Sequence, residues 1–145
     1  MLPVSLVVLV ACQPAIPAGQ PSSVAEGPAP ELPLVVYERI GGETGLRERW
    51  EIYADGRVVR EGDTVRYLEP EALMVLMEQV ERSDFFEMED VYLQEGPRSP
   101  RFVYALSVRM NGGMKAVVVM DGAPGQPPAL GDLIQTVDAL VRGEV

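Results

Sequence analysis

Few side chains in this sequence are of a type that does chemistry. Histidine is absent from its 145 residues, lysine occurs once, as Lys115, and cysteine once, as Cys12. Without histidine the usual general base of serine and cysteine hydrolases is missing, as are histidine-containing zinc sites. The densest run of carboxylates is Asp84, Glu87, Glu89 and Asp90. Paired carboxylates can do acid–base work or hold calcium. This run lacks the alternating oxygen ligands and the glycine of a calcium loop, so it reads as a solvated helix exit. A Ser–Lys dyad would have to use Lys115, which stands beside a hairpin turn and reads as a surface charge. Gly41, Gly42 and Gly45, and separately Gly122 and Gly125, are loop glycines. Neither group follows a strand and opens a helix with the spacing of a phosphate loop or dinucleotide fingerprint. The expectation is a protein that is not an enzyme and uses no cofactor or metal, with a hydrolase as the remote alternative.

The one thiol has a different chemistry available. Leu2 to Val10 is almost wholly apolar and closes on Leu9-Val10-Ala11-Cys12. The run is too short to cross a bilayer, which takes about 20 apolar residues, and suits the core of a signal peptide. Its end resembles the bacterial lipobox: a branched apolar residue, a small or apolar one, a small one, then cysteine. That resemblance implies cleavage before Cys12 and thioether lipidation on it. Small residues let a peptidase approach the backbone, and acyl chains contribute about 0.8 kcal/mol per buried methylene. The alternative is a buried N-terminal strand with an incidental cysteine, but a tract of disordered composition follows at once. Met1-Leu2-Pro3 carries none of the Lys or Arg of a signal n-region, which points to a start upstream or a clipped chain.

Gln13 to Glu31 is dominated by proline, alanine, glycine and serine. It cannot offset its ordering entropy by burial. The expected organisation is a lipoprotein signal peptide over residues 1–11, a lipidated Cys12 with a disordered tether over 12–31, and a folded domain over 32–145. A flexible tether of this length reaches roughly 25 Å and spaces the domain from the membrane. The chain carries 12 basic and 22 acidic side chains, a formal net charge of -10. Nucleic acid is therefore not an expected partner, because phosphate binding needs a basic face. The membrane, reached through the lipid, is one. The location implied is the cell envelope, facing outside the cytoplasm.

The folded part reads as strands, a helix, two strands and a helix. Leu34 to Ile40 is apolar and β-rich. Leu46 to Tyr53 alternates, with Leu46, Trp50 and Ile52 on one face and Arg47, Arg49 and Glu51 on the other. Glu48 breaks the apolar face, which suggests a place near the sheet edge. Asp55-Gly56 signals a hairpin, Arg57 to Arg60 returns, Glu61-Gly62-Asp63 turns again, and Thr64 to Leu68 is a short strand. Pro70 opens a helix with Leu73, Leu76, Met77 and Val80 on one stripe. Ser83-Asp84-Phe85-Phe86 ends it and tucks two aromatics beneath. Phe102 to Met110 alternates, Asn111-Gly112-Gly113 turns, and Met114 to Met120, apolar on both faces, reads as a central strand. Pro128 opens a last helix that buries Leu130, Leu133, Ile134, Val137 and Leu140 and stops at Gly143. Trp50 is expected between sheet and helices. The fold class is α+β, two-layer, an antiparallel sheet with two helices packed on it.

Val36-Tyr37-Glu38-Arg39-Ile40-Gly41-Gly42-Glu43-Thr44-Gly45 resembles the opening of the emfourin family. Ser83-Asp84-Phe85-Phe86, Tyr104-Ala105-Leu106-Ser107-Val108 and the last helix after a proline-containing loop are similar too, so the likeness spans Val35 to about Val141. It implies inhibition of thermolysin-like zinc metallopeptidases, an activity that needs no catalytic residues, and a secreted metallopeptidase as partner. Where emfourins have a short acidic segment before the first helix, this chain has Asp55 to Val65. With Phe85-Phe86 and Gly122-Ala123-Pro124, that stretch is similar to an uncharacterised family of bacterial lipoprotein domains. Two readings follow: a membrane-anchored protein-binding domain that inhibits such peptidases, or an envelope structural or assembly lipoprotein without inhibitory activity. For the first, the partner-binding candidates are Glu61, Gly62, Asp63 and Thr64, where Gly62 permits a sharp turn and Glu61 or Asp63 offers a carboxylate to zinc or to a basic subsite. The same four residues also read as an ordinary solvated turn.

Overall fold

The alternating segments become strands of one sheet. The structure is a computed structural model that describes residues 30–96 and 101–144. The expected signal peptide, Cys12 and nearly all of the expected tether lie outside the described residues. The strands are β1 (Val35–Gly41), β2 (Leu46–Ile52), β3 (Arg57–Arg60), β4 (Asp63–Tyr67), β5 (Val91–Tyr92), β6 (Phe102–Met110) and β7 (Gly113–Met120). The helices are α1 (Pro70–Arg82) and α2 (Pro128–Arg142), with a 3₁₀ turn at Phe85–Glu87. Strand order across the sheet is β4-β3-β2-β1-β6-β7-β5. Among the described residues every pairing is antiparallel except that of β5 with β7.

Period-two alternation sorts the strands into two faces. Val35, Tyr37, Trp50, Ile52, Val58, Leu106, Val108, Val117 and Val119 point to one side and are buried there against Leu76 and Val80 of α1 and Leu130, Leu133 and Val137 of α2. Both helices therefore cover one face of the sheet, which gives the two-layer α+β architecture. Phe85 is fully buried beneath the α1 exit and meets Phe86 edge-on at 5.9 Å. The other face bears an ion-pair ladder on β1 and β2, where Arg49 bridges Glu38 at 2.7 Å and Glu51 at 2.9 Å.

Three expectations change. Met114 to Met120 is not central: among the described residues β7 has only the two-residue β5 beyond it, and β1 holds the middle of the sheet. Its second apolar set, Ala116, Val118 and Met120, meets Ser107, Ala105 and Val103 of β6 in register on the open, partly exposed face. Apolar residues on both faces here mark a patch, not a second buried layer. Glu48 is not near the edge. It lies in β2 between β1 and β3 and is only 6% exposed, because arginines close over it. The parallel strand β5 was not expected at all; two residues beside an acidic run leave no periodic signal.

Candidate functional site

Glu61 and Gly62 form the tip of the β3–β4 hairpin, with Arg60 and Asp63 opposite each other beneath it. Both tip residues have positive φ, 53° at Glu61 and 92° at Gly62, as tight two-residue hairpin turns require. A Cβ on Gly62 would touch nothing within 4 Å, so backbone conformation alone calls for glycine there. Glu61 is less at ease. Asn, Asp and Gly are the usual occupants of a left-handed turn position, and a longer side chain there costs on the order of 1 kcal/mol or more. Glu61, Gly62, Asp63 and Thr64 are all exposed. Asp63 and Thr64 already belong to β4, and β4 is the sheet edge. The four candidates are thus brought together as a strained acidic tip on a braced hairpin.

Below that tip lies a network centred on Glu48, whose partners Arg39, Arg60 and Arg142 carry no signal in the local sequence pattern. Arg39 and Glu48 are cross-strand partners, as are Trp50 and Arg60. The Glu48 carboxylate receives Arg142 Nη2 at 2.8 Å and Arg60 Nη2 at 3.2 Å, with Arg39 Nη1 at 3.9 Å. Arg142 Nε also donates to both oxygens of Asp138, at 2.9 and 3.0 Å. Tyr37 donates its hydroxyl proton to Asp138 at 2.9 Å. The guanidiniums of Arg60 and Arg142 lie 5.2 and 4.8 Å from the Trp50 ring centre. Trp50 stacks on Tyr37 at 5.6 Å, and Arg39 covers Phe102 at 3.9 Å. Removing an ion from water costs several kcal/mol, which only a well-paired geometry offsets; the hydrogen bonds from Arg142 and Arg60 to the one carboxylate supply it here, with Arg39 as a more distant third charge. Burial works to lower the pKa of Arg142, but its hydrogen bonds to Glu48 and Asp138 outweigh that and raise it. Guanidiniums do not release protons near neutral pH, so the network is suited to binding and to stiffening the hairpin, not to proton transfer.

Tyr37 gives a pH test of this network. Burial, and then the hydrogen bond to Asp138, raise its pKa far above the ordinary 10.0. The folded state therefore keeps a proton that the unfolded chain loses above pH 10. This contribution is complete below pH 10 and is lost as pH rises, by at most about 1.4 kcal/mol per pH unit. Tyr37→Phe should cost about 1 kcal/mol at pH 8, and its deficit should shrink between pH 10 and 11 in urea unfolding curves. A deficit that stays constant across that range would show that the buried phenol does not keep its proton above pH 10.

Among the described residues, no three Cys, His, Asp or Glu side chains come together as a metal site. In the acidic run, Asp90 pairs with Lys115, whose side chain is only 18% exposed. The lysine read as a surface charge is thus mostly covered and engaged. Fold and site together define a two-layer α+β domain with a braced acidic hairpin at one edge of its sheet. No protein-family model and no curated protein matches the chain.

Proposed function

We propose that the chain is a lipid-anchored, non-catalytic protein-binding domain of a bacterial cell envelope, and that its hairpin tip engages a thermolysin-like metallopeptidase. The observation that carries this reading is Glu61, a carboxylate held in a left-handed turn at the exposed tip of an edge hairpin. Strained backbone persists where the surroundings over-determine it, and such positions cluster at binding sites. Recognition is usually carried by loops on a rigid scaffold, and the Glu48 network makes this hairpin one. A carboxylate so placed suits a catalytic zinc or a basic subsite. The likeness of Val36–Gly45, Ser83–Phe86 and Tyr104–Val108 to the emfourin family supports a peptidase as the partner.

The Glu31–Val145 unit carries the whole described core, so it can be titrated alone against a thermolysin-like peptidase with a peptide substrate. Inhibition should be seen and should weaken at least tenfold when Glu61 and Asp63 are both changed to Ala. Undiminished inhibition by that variant moves the contact elsewhere on the domain. No inhibition of any such peptidase, including those of the same organism, leaves the second reading, an envelope structural or assembly lipoprotein. That second reading is favoured by Asp55 to Val65, which replaces the short acidic segment of emfourins with a turn and a hairpin.

A further inference from the structure

We infer that the cleft between the β3–β4 hairpin and the end of α2 is a second subsite, which takes an acidic side chain of an extended peptide from the bound protein. The cleft has a volume of about 350 Å³ and is lined by Trp50, Arg60, Val65, Arg66 and Arg142, with Glu144 also contributing to its wall. In a chain of net charge -10, three guanidiniums converge on one cleft. Two of them are committed: Arg142 to Glu48 and Asp138, and Arg60 to Glu48. Arg66 is not. Among the described residues it forms no ion pair and no side-chain hydrogen bond, whereas Arg39 and Arg109, which like it have a buried Nε without a partner, each engage another side chain through a terminal nitrogen. It lies so close to the end of α2 that a Cβ on Gly143 would collide with its guanidinium. A buried donor left unmade is unfavourable, and a carboxylate is the group whose two oxygens match a guanidinium fork.

Its surroundings favour a peptide over a free anion. Val65 and Val141 give the cleft apolar walls suited to the methylenes of a glutamate side chain. Arg66 belongs to β4, the edge of the sheet, whose outer N–H and C=O groups no other described strand pairs. An extended peptide laid along such an edge gains main-chain hydrogen bonds, while pockets beside the edge read its side chains. The inference rests on reading the domain as a protein-binding module. Its test needs no peptidase, so it can fail while inhibition holds, and the reverse.

Trp50 is the only tryptophan and lines the cleft, so its fluorescence reports occupancy. The probes for the Glu31–Val145 domain are a capped peptide of alternating threonine and glutamate, its glutamine counterpart, and inorganic phosphate. The glutamate peptide should give a saturable change, and the glutamine peptide should bind at least tenfold more weakly. Arg66→Gln should weaken the glutamate peptide at least tenfold with an unchanged circular dichroism spectrum. Arg66→Lys, which keeps the charge and loses the fork, should fall between the two; it carries the test if Arg66→Gln does not fold. A response to phosphate without one to the glutamate peptide overturns the peptide assignment in favour of a small anion. Equal binding of both peptides, indifference to Arg66, or no saturable change with any probe overturns the subsite.

Discussion

Trp50→Ala should destabilise the domain by about 3–5 kcal/mol, a large share of the roughly 5–15 kcal/mol that holds a domain folded. Trp50 is 2% exposed and belongs to the main core cluster with Tyr37 and Ile52. Truncation removes its stacking on Tyr37 and leaves a cavity where β2 meets α2. It also removes the surface on which Arg60 and Arg142 lie. Those guanidiniums hold Glu48, so part of the loss reaches the ion network. Urea unfolding followed by far-ultraviolet circular dichroism is the suitable readout, because the variant has no tryptophan fluorescence. The midpoint should fall without a change in slope. A loss below about 1 kcal/mol would mean that Trp50 does not pack between sheet and helices.

Why this residue was legible in advance, and its charged neighbours were not, is a matter of range. Leu46 to Ile52 carries its own period of two, so the inward face follows from local pattern alone. The α2 stripe from Leu130 to Leu140 carries a period of 3.6 in the same way. Both α helices begin at a proline and α2 ends at a glycine, which are local signals as well. Strand order is not local. The apolar outer face of β7 has the pattern of a buried strand; only its neighbours, β6 on one side and two residues of β5 on the other, reveal a half-covered patch.

The site divides along the same line. Glu61-Gly62 announces a turn by composition, and the structure makes it a tip at the sheet edge. Glu48 announces itself too, as a charge on an apolar face, but its meaning lies in Arg39, Arg60 and Arg142. The first two reach it through strand register. The third comes from a helix 94 residues later in the chain, and no spacing rule connects the two. Arg66 was less visible still, because its interest lies in the partner it lacks among the described residues.

The anchor is where the functional account is most exposed, because a domain that stays in the cytoplasm meets neither a secreted peptidase nor an envelope partner. The claim rests on Leu9-Val10-Ala11-Cys12 after an apolar run too short to span a bilayer. Among the described residues no helix is long and apolar enough to cross a membrane; the attachment we propose is through acyl chains on Cys12. One acyl chain binds a membrane only marginally, whereas two or more hold firmly, so the effect of losing the thiol should be close to all-or-none. The measurement is metabolic labelling with a clickable fatty-acid analogue in the native bacterium, followed by membrane fractionation. Wild-type protein should carry label and sediment with membranes, and Cys12→Ser should carry none and appear in the soluble fraction. Unlabelled wild-type protein, or a Cys12→Ser variant that remains labelled and membrane-bound, would contradict the account.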